Sequence, residues 1–144
     1  MISNSISNAP GPINTGSDNV DLRVDVSKDE WRVRFGYQNR NNLESGDGVA
    51  GALDPNSSYR SDIGNLDLSY TTTLLDDDLT LVSQVSGYYA SQEPKENNLL
   101  YPEGAFGGAF PDGFIGNPGN KETQVTLQQY GIYSGWDGHR LRVA

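Results

Sequence analysis

The chain has no cysteine among its 144 residues, which rules out disulfides, cysteine-ligated iron–sulfur clusters and cysteine-ligated zinc. No run of apolar residues approaches the roughly 18 that a membrane-crossing helix requires. β-strands that cross a membrane escape that test, because only every second residue must meet lipid. Basic residues are few: ten Lys and Arg stand against nineteen Asp and Glu, for a formal net charge of −9. Nucleic acid, whose phosphates require Lys and Arg, is a poor partner for such a chain, whereas a basic partner or a metal cation fits better. Apolar residues make up 35% of the chain, against roughly 45–50% in an average soluble domain on a definition that also counts glycine. A closed hydrophobic core would be hard to fill from this composition. The start, ISNSISNAPGP after Met1, lacks both the basic residues and the apolar stretch of a secretory signal.

What the chain does have is alternation. Residues 1–17 are mostly Ser, Asn, Gly and Pro and read as a disordered or loop tail. From residue 20 onward, Val20, Leu22, Val24 and Val26 share one face of a strand, with Asp21, Arg23 and Asp25 on the other. A tight turn at Ser27-Lys28-Asp29 leads into a return strand. There Trp31, Val33, Phe35 and Tyr37 oppose Arg32, Arg34, Gly36 and Gln38, so the pair reads as a hairpin. Alternation resumes over 65–71, with Leu66, Leu68 and Tyr70 against Asp67, Ser69 and Thr71. It returns over 79–90, with Leu79, Leu81, Val85 and Tyr89 against Thr80, Gln84, Ser86 and Tyr88, Val82 being the exception. In 123–134, Val125 and Leu127 begin one face before Tyr130 and Ile132 break parity; a bulge at Gln128-Gln129 and a polar face that tolerates apolar residues explain this equally well. A sixth strand starts in 139–143, with Leu141 and Val143 opposing Arg140 and Arg142.

The connections between these strands run short, long, short, long, short: SKD, then 39–62, then LLDDD, then 91–120, then GWDG. Membrane barrels of the bacterial outer membrane alternate brief turns with extended loops in this way. A soluble sandwich has no general reason to put both long loops at one end, although variable-type immunoglobulin folds come near it. On the barrel reading Trp31, Tyr70, Tyr133 and Trp136 fall near one interface and Tyr37 and Tyr89 near the other, as two rough aromatic belts.

Several motifs invite chemistry and do not carry it. Gly46-Asp47-Gly48-Val49-Ala50-Gly51 has the glycine spacing of a dinucleotide-binding turn, but polar NNLES precedes it and Leu53-Asp54-Pro55 interrupts any following helix. Asp76-Asp77-Asp78 lacks the alternate spacing of calcium loops and reads as a solvated turn. Asn56-Ser57-Ser58 matches a glycosylation acceptor that matters only in a eukaryotic secreted protein. The single histidine, His139, stands near Asp137, yet nothing supplies a nucleophile elbow or an oxyanion turn. The loop acids Glu93, Glu96, Glu103 and Asp112 would serve a glycosidase only at a specific separation. The chain reads as a non-enzyme, and no cofactor is implied.

The stretch 99–120, LLYPEGAFGGAFPDGFIGNPGN, is too rich in glycine and proline for a helix or a regular strand, and too rich in aromatics for an idle linker. It reads as a flap joining two strands. Its run Gly104-Ala105-Phe106-Gly107-Gly108-Ala109-Phe110-Pro111-Asp112-Gly113, continuing to Ile115-Gly116-Asn117-Pro118, resembles a segment of the barrel domain of TonB-dependent outer-membrane receptors. The likeness extends from about residue 19 to the end. It implies an all-β fold, in which 19–144 are about six antiparallel up-and-down strands forming part of a transmembrane barrel in the bacterial outer membrane. It also implies active uptake of a scarce ligand such as an iron-siderophore or cobalamin, driven by TonB through a plug domain of which the sequence bears no sign. Such a protein is exported, so the missing signal and the stop within the sixth strand are read as marks of a fragment. On this reading Asp21, Arg23, Arg32, Arg34 and Asp67 line the lumen, while Tyr101, Phe106, Phe110 and Phe114 are candidates to stack on ligand. Packing of those rings among themselves is the competing role. The rival folds are a passive porin-like barrel and a soluble extracellular β-sandwich binding module. The sandwich predicts that Leu22, Val33, Phe35, Leu68 and Leu81 are buried against a second sheet.

Overall fold

A computed structural model describes residues 6–13, 15–44 and 52–144. The glycine-rich motif at 46–51 lies outside the described residues. The chain is all-β, built from β1 (Asp18–Lys28), β2 (Trp31–Glu44), β3 (Ser58–Leu74), β4 (Leu79–Pro94), β5 (Leu99–Tyr101), β6 (Phe114–Ile115), β7 (Asn120–Tyr133) and β8 (Leu141–Val143), with one helical turn, α1 (Ala105–Gly108). Six strands form an antiparallel meander in the order β1-β2-β3-β4-β7-β8, and β5 pairs with β6 as a separate two-stranded sheet. The edge strands are unequal, β1 having 11 residues and β8 having 3.

The strands are longer than alternation alone predicts. β2 runs on to Glu44 and β3 begins at Ser58, so the long connection expected over 39–62 shrinks to residues 45–57. β4 likewise reaches Pro94, and the flap holds two short strands of its own, which makes eight strands among the described residues. The first turn is Asp29-Glu30, with Asp29 at φ 52°. The extensions are mostly polar, and Leu43, Tyr59 and Ile63 are too scattered to set up a periodic signal. Side-chain bonds hold them instead: Asn39 Nδ2 donates to Asp62 Oδ1 at 2.8 Å, Asn42 Nδ2 to Asp18 Oδ2 at 2.6 Å, and Lys95 Nζ to Asn42 Oδ1 at 2.5 Å.

The chain falls into two compact units. Unit 1 comprises Met1–Val20, Gln38–Asp62 and Ala90–Lys121; unit 2 comprises Asp21–Tyr37, Ile63–Tyr89 and Glu122–Ala144. Both long connections belong to unit 1 and all three short ones to unit 2.

Unit 2 contains no buried side chain among the described residues. Its strands present Val24, Val26, Val33, Phe35, Leu66, Leu68, Val85, Val125 and Leu127 as exposed apolar side chains. Gly64 and Gly87 leave a groove of about 260 Å³ in this face, bordered by Phe35, Leu66, Tyr89 and Val125. At the short-turn end the aromatics pair, Trp31 with Tyr70 at 4.8 Å between ring centroids and Tyr133 with Trp136 at 5.5 Å.

The opposite face of unit 2 is a polar ladder. Arg32 grips Asp25 through two bonds of 2.9 and 2.5 Å, Arg34 reaches Asp67 at 3.7 Å, and Gln84 Nε2 donates to both Asp67 Oδ1 at 3.3 Å and Ser86 Oγ at 2.8 Å. A Cβ at Gly36 would collide with the Asn65 side-chain oxygen, so this glycine admits the amide of the neighbouring strand. Toward the end of β7, Ile132 lies opposite Arg142 and Tyr133 opposite Leu141. The Arg142 guanidinium sits 4.4 Å from the centre of the Tyr130 ring. Tyr130 and Ile132 thus keep company with the arginine on the polar face, which tolerates them.

Unit 1 holds every buried side chain among the described residues: Ser7, Ala52, Asp54, Ser57, Tyr59, Ser91, Asn98, Pro102 and Ala105. Most are polar, so this core is held by hydrogen bonds more than by apolar area. The N-terminal segment joins it, with Ser7 buried and the Asn8 N–H donating to the Ala52 carbonyl at 3.1 Å.

Candidate functional site

The flap, residues 95–119, lies wholly within unit 1. Glycine and proline exclude regular structure over most of its length, and two short strands close its neck. Leu99 pairs with Ile115 and Tyr101 with Phe114 across a register shift. Above the neck the chain winds through left-handed conformations, with Gly104 at φ 75°, Phe106 at 55°, Gly107 at 70° and Gly113 at 75°. The turn is stitched by the Gly104 N–H to the Phe110 carbonyl at 2.8 Å, Ala105 to Pro102 at 3.1 Å and Gly108 to Gly104 at 3.0 Å. Phe106 is the costly position, because a bulky residue in the left-handed region carries roughly 1–2 kcal/mol of backbone strain.

That strain aims a ring. Phe106 meets Tyr101 edge-on at 5.0 Å between centroids, Phe110 stacks on Tyr101 at 5.3 Å, and Phe114 lies 5.6 Å from Phe110 and 6.2 Å from Tyr101. Each such contact contributes about 0.5–1.5 kcal/mol beyond its buried area. The four candidate residues therefore form one cluster. Tyr101 and Phe110 are its half-buried interior, while Phe106 and Phe114 keep exposed faces. All four rings pack on one another, and the last two present the larger exposed area. Glu103 and Asp112 are exposed in the same flap, which has no Lys or Arg between Glu96 and Asn120.

The candidate lumen residues behave differently. Arg32, Arg34 and Asp67 belong to the ladder described above, and Asp21 and Arg23 are exposed on β1 in register with Asp25. They belong to unit 2, whereas the aromatic cluster belongs to unit 1.

The alternation-based reading missed Asp54, Asn98 and Asn117. Asp54 is a buried carboxylate whose oxygens take two backbone N–H groups. It also acts on Tyr59, whose phenol is pushed above its ordinary value of 10.0, chiefly by burial and further by the Asp54 charge. The Asp-Pro-Asn sequence at 54–56 is a turn signal that could have marked it. Among the described residues no cluster of three His, Asp or Glu is placed to hold a metal ion, and Asp76 and Asp77 are exposed in a left-handed turn. His139 is exposed in the last turn, its backbone N–H donating to the Trp136 carbonyl at 3.0 Å. Among the described residues no helix is long and apolar enough to cross a membrane, a statement that says nothing of a β-barrel.

No family model, no curated protein and no solved structure matches the chain.

Proposed function

We propose that the chain is part of the β-barrel of a bacterial outer-membrane receptor that takes up a scarce ligand, such as an iron-siderophore, by TonB-dependent transport. One observation carries this reading: the sheet of unit 2 has an apolar face that nothing in the unit covers and a polar face knitted by ion pairs. Leu22 is 49% exposed, Val33 and Phe35 38% and Leu68 40%, where a sandwich would bury them; Leu81, the fifth residue of that set, is half-buried. Lipid is the solvent that satisfies such a face, and a wet lumen satisfies the other. Asp21, Arg23, Arg32, Arg34 and Asp67 would then line the lumen, and the paired aromatics Trp31–Tyr70 and Tyr133–Trp136 would sit at one interface. Both long connections would form the outer face, where Phe106 and Phe114 offer stacking area. TonB would supply the energy through a plug domain.

The test is sedimentation and circular dichroism of the purified chain with and without detergent micelles. Aggregation in buffer with gain of cooperative β-structure in detergent is the expected result. A monomeric, cooperatively melting β-protein in plain buffer would overturn the barrel reading in favour of a soluble binding module.

A further inference from the structure

The neck of the flap is fastened by a carboxylate from the other long connection. Asp54 is 4% exposed, and each of its carboxylate oxygens accepts one backbone N–H. Oδ1 takes that of Asn56 at 3.0 Å, closing a turn within residues 52–57, and Oδ2 takes that of Leu99, the first residue of β5, at 2.7 Å. Hydrogen bonds to an ionised acceptor in a buried setting are the strong kind. One residue earlier the two ends of the flap are tied to each other. The Asn98 N–H donates to Asn117 Oδ1 at 3.0 Å, the Gly116 N–H donates to the Asn98 carbonyl at 3.0 Å, and Asn117 Nδ2 donates to Asn97 Oδ1 at 2.7 Å. The neck is thus a closed ring of bonds, and the Leu99 N–H fastens it to residues 52–57 through Asp54.

The Asn98 side chain pulls the other way. It is 0% exposed, and neither its Nδ2 nor its Oδ1 has a hydrogen-bond partner among the described residues. A buried amide left unpaired costs the desolvation of its donor and acceptor, a cost that vanishes when the segment moves into water. Adjacent residues therefore carry opposing contributions, a strong bond at Leu99 that holds the neck down and an unpaired amide at Asn98 that favours its release.

We infer that Asp54 is a positioning residue that latches the flap, and that the buried, unpaired Asn98 amide keeps this latch releasable. The neck, residues 97–101 with 114–117, lifts from residues 52–57 as one piece while its internal ring of bonds persists. The latch is a property of unit 1 alone and holds whether or not the chain is a receptor; in a receptor it would govern when the aromatic cluster changes position.

Hydrogen exchange read by mass spectrometry on the full chain tests this, since protection measures the opening equilibrium segment by segment. Asp54→Asn removes one acceptor at constant size and is expected to speed exchange of the Leu99 amide, read in the peptide over residues 97–101, by about tenfold, the worth of a buried bond to a charged acceptor. Peptides from 124–133 should keep the wild-type rate. Asn98→Leu replaces the unpaired amide by an apolar group of similar volume and is expected to slow exchange over the same residues. A residue of merely structural importance would not give that second result. Unchanged exchange at 97–101 in Asp54→Asn overturns the latch. Should Asp54→Asn loosen both units at once, Asn98→Leu decides: slower exchange supports the inference, and unchanged or faster exchange overturns it.

Discussion

A Cβ placed on Gly113 would lie 3.0 Å from the Tyr101 carbonyl oxygen, at a backbone φ of +75° that L-residues resist. Both penalties fall on backbone that has little freedom to move, because Tyr101 is paired with Phe114 across the neck. Gly113→Ala should therefore loosen the flap by roughly 1–2 kcal/mol. Faster hydrogen exchange over 99–115, with unit 2 unaffected, is the measurement that checks it. Gly36 contrasts with this, for its Cβ would meet the tip of the Asn65 side chain, which can swing aside. Alternation had already placed Gly36 on the polar face, but a pattern of apolar and polar letters holds no information on what fills the space above a glycine. The left-handed Phe106 was equally invisible, since nothing in its neighbours' identities demands that a phenylalanine rather than a glycine accept that conformation. What could be read from the flap was its irregularity and its density of aromatics. That these four rings form one cluster is set by the short β5–β6 pairing, which is too brief to leave a periodic trace.

Along a strand the two faces meet different surroundings, and β7 offers a direct comparison because Leu127 and Gln128 are neighbours on opposite faces. If the apolar face meets lipid, Leu127→Arg should cost about 2–4 kcal/mol of stability in a bilayer, the penalty for a cation near the midplane of a barrel's outer surface. Gln128→Arg, on the polar face, should cost little. Unfolding of both variants from lipid vesicles by denaturant, followed by tryptophan emission of Trp31 and Trp136, would report the difference. Equal stabilities would remove the lipid-facing assignment. The same logic explains where the sequence stopped being legible. Strand positions 20–38, 65–71, 79–90 and 123–134 were readable because one face is apolar and the other is not. The extensions through Asn39, Asn42, Asp62 and Gln92 are mostly polar, with only the scattered Leu43, Tyr59 and Ile63, and their β-structure is sustained by cross-strand bonds such as Asn39–Asp62 that no hydropathy period can reveal.

The acid excess of the whole chain is distributed unevenly, because three of its arginines are paired with acids on the strands. Arg32 and Arg60 hold Asp25 and Asp62 in ion pairs, and Arg34 reaches Asp67. The flap itself contributes Glu103 and Asp112 and no base between Glu96 and Asn120. A field of one sign attracts ligands of the other and weakens within a Debye length as salt rises. If the chain is part of such a receptor, a cationic ferric trihydroxamate chelate should accordingly bind it in detergent at least about tenfold more tightly than a trianionic ferric tris-catecholate at low ionic strength. Equilibrium dialysis at 10 mM and then roughly 500 mM salt checks this, with the preference shrinking at the higher value as screening predicts. At this scale the order of short and long connections was the most legible feature of the sequence, for turn length depends on local composition. The division into two units was not legible, because it follows from which residues touch.

β1 is a margin of the six-stranded sheet and runs for eleven residues. A margin of that length is adhesive, because its outward N–H and C=O groups template any extended segment that meets them. The strand that bounds this sheet is therefore also the seam along which another sheet would be sewn to it.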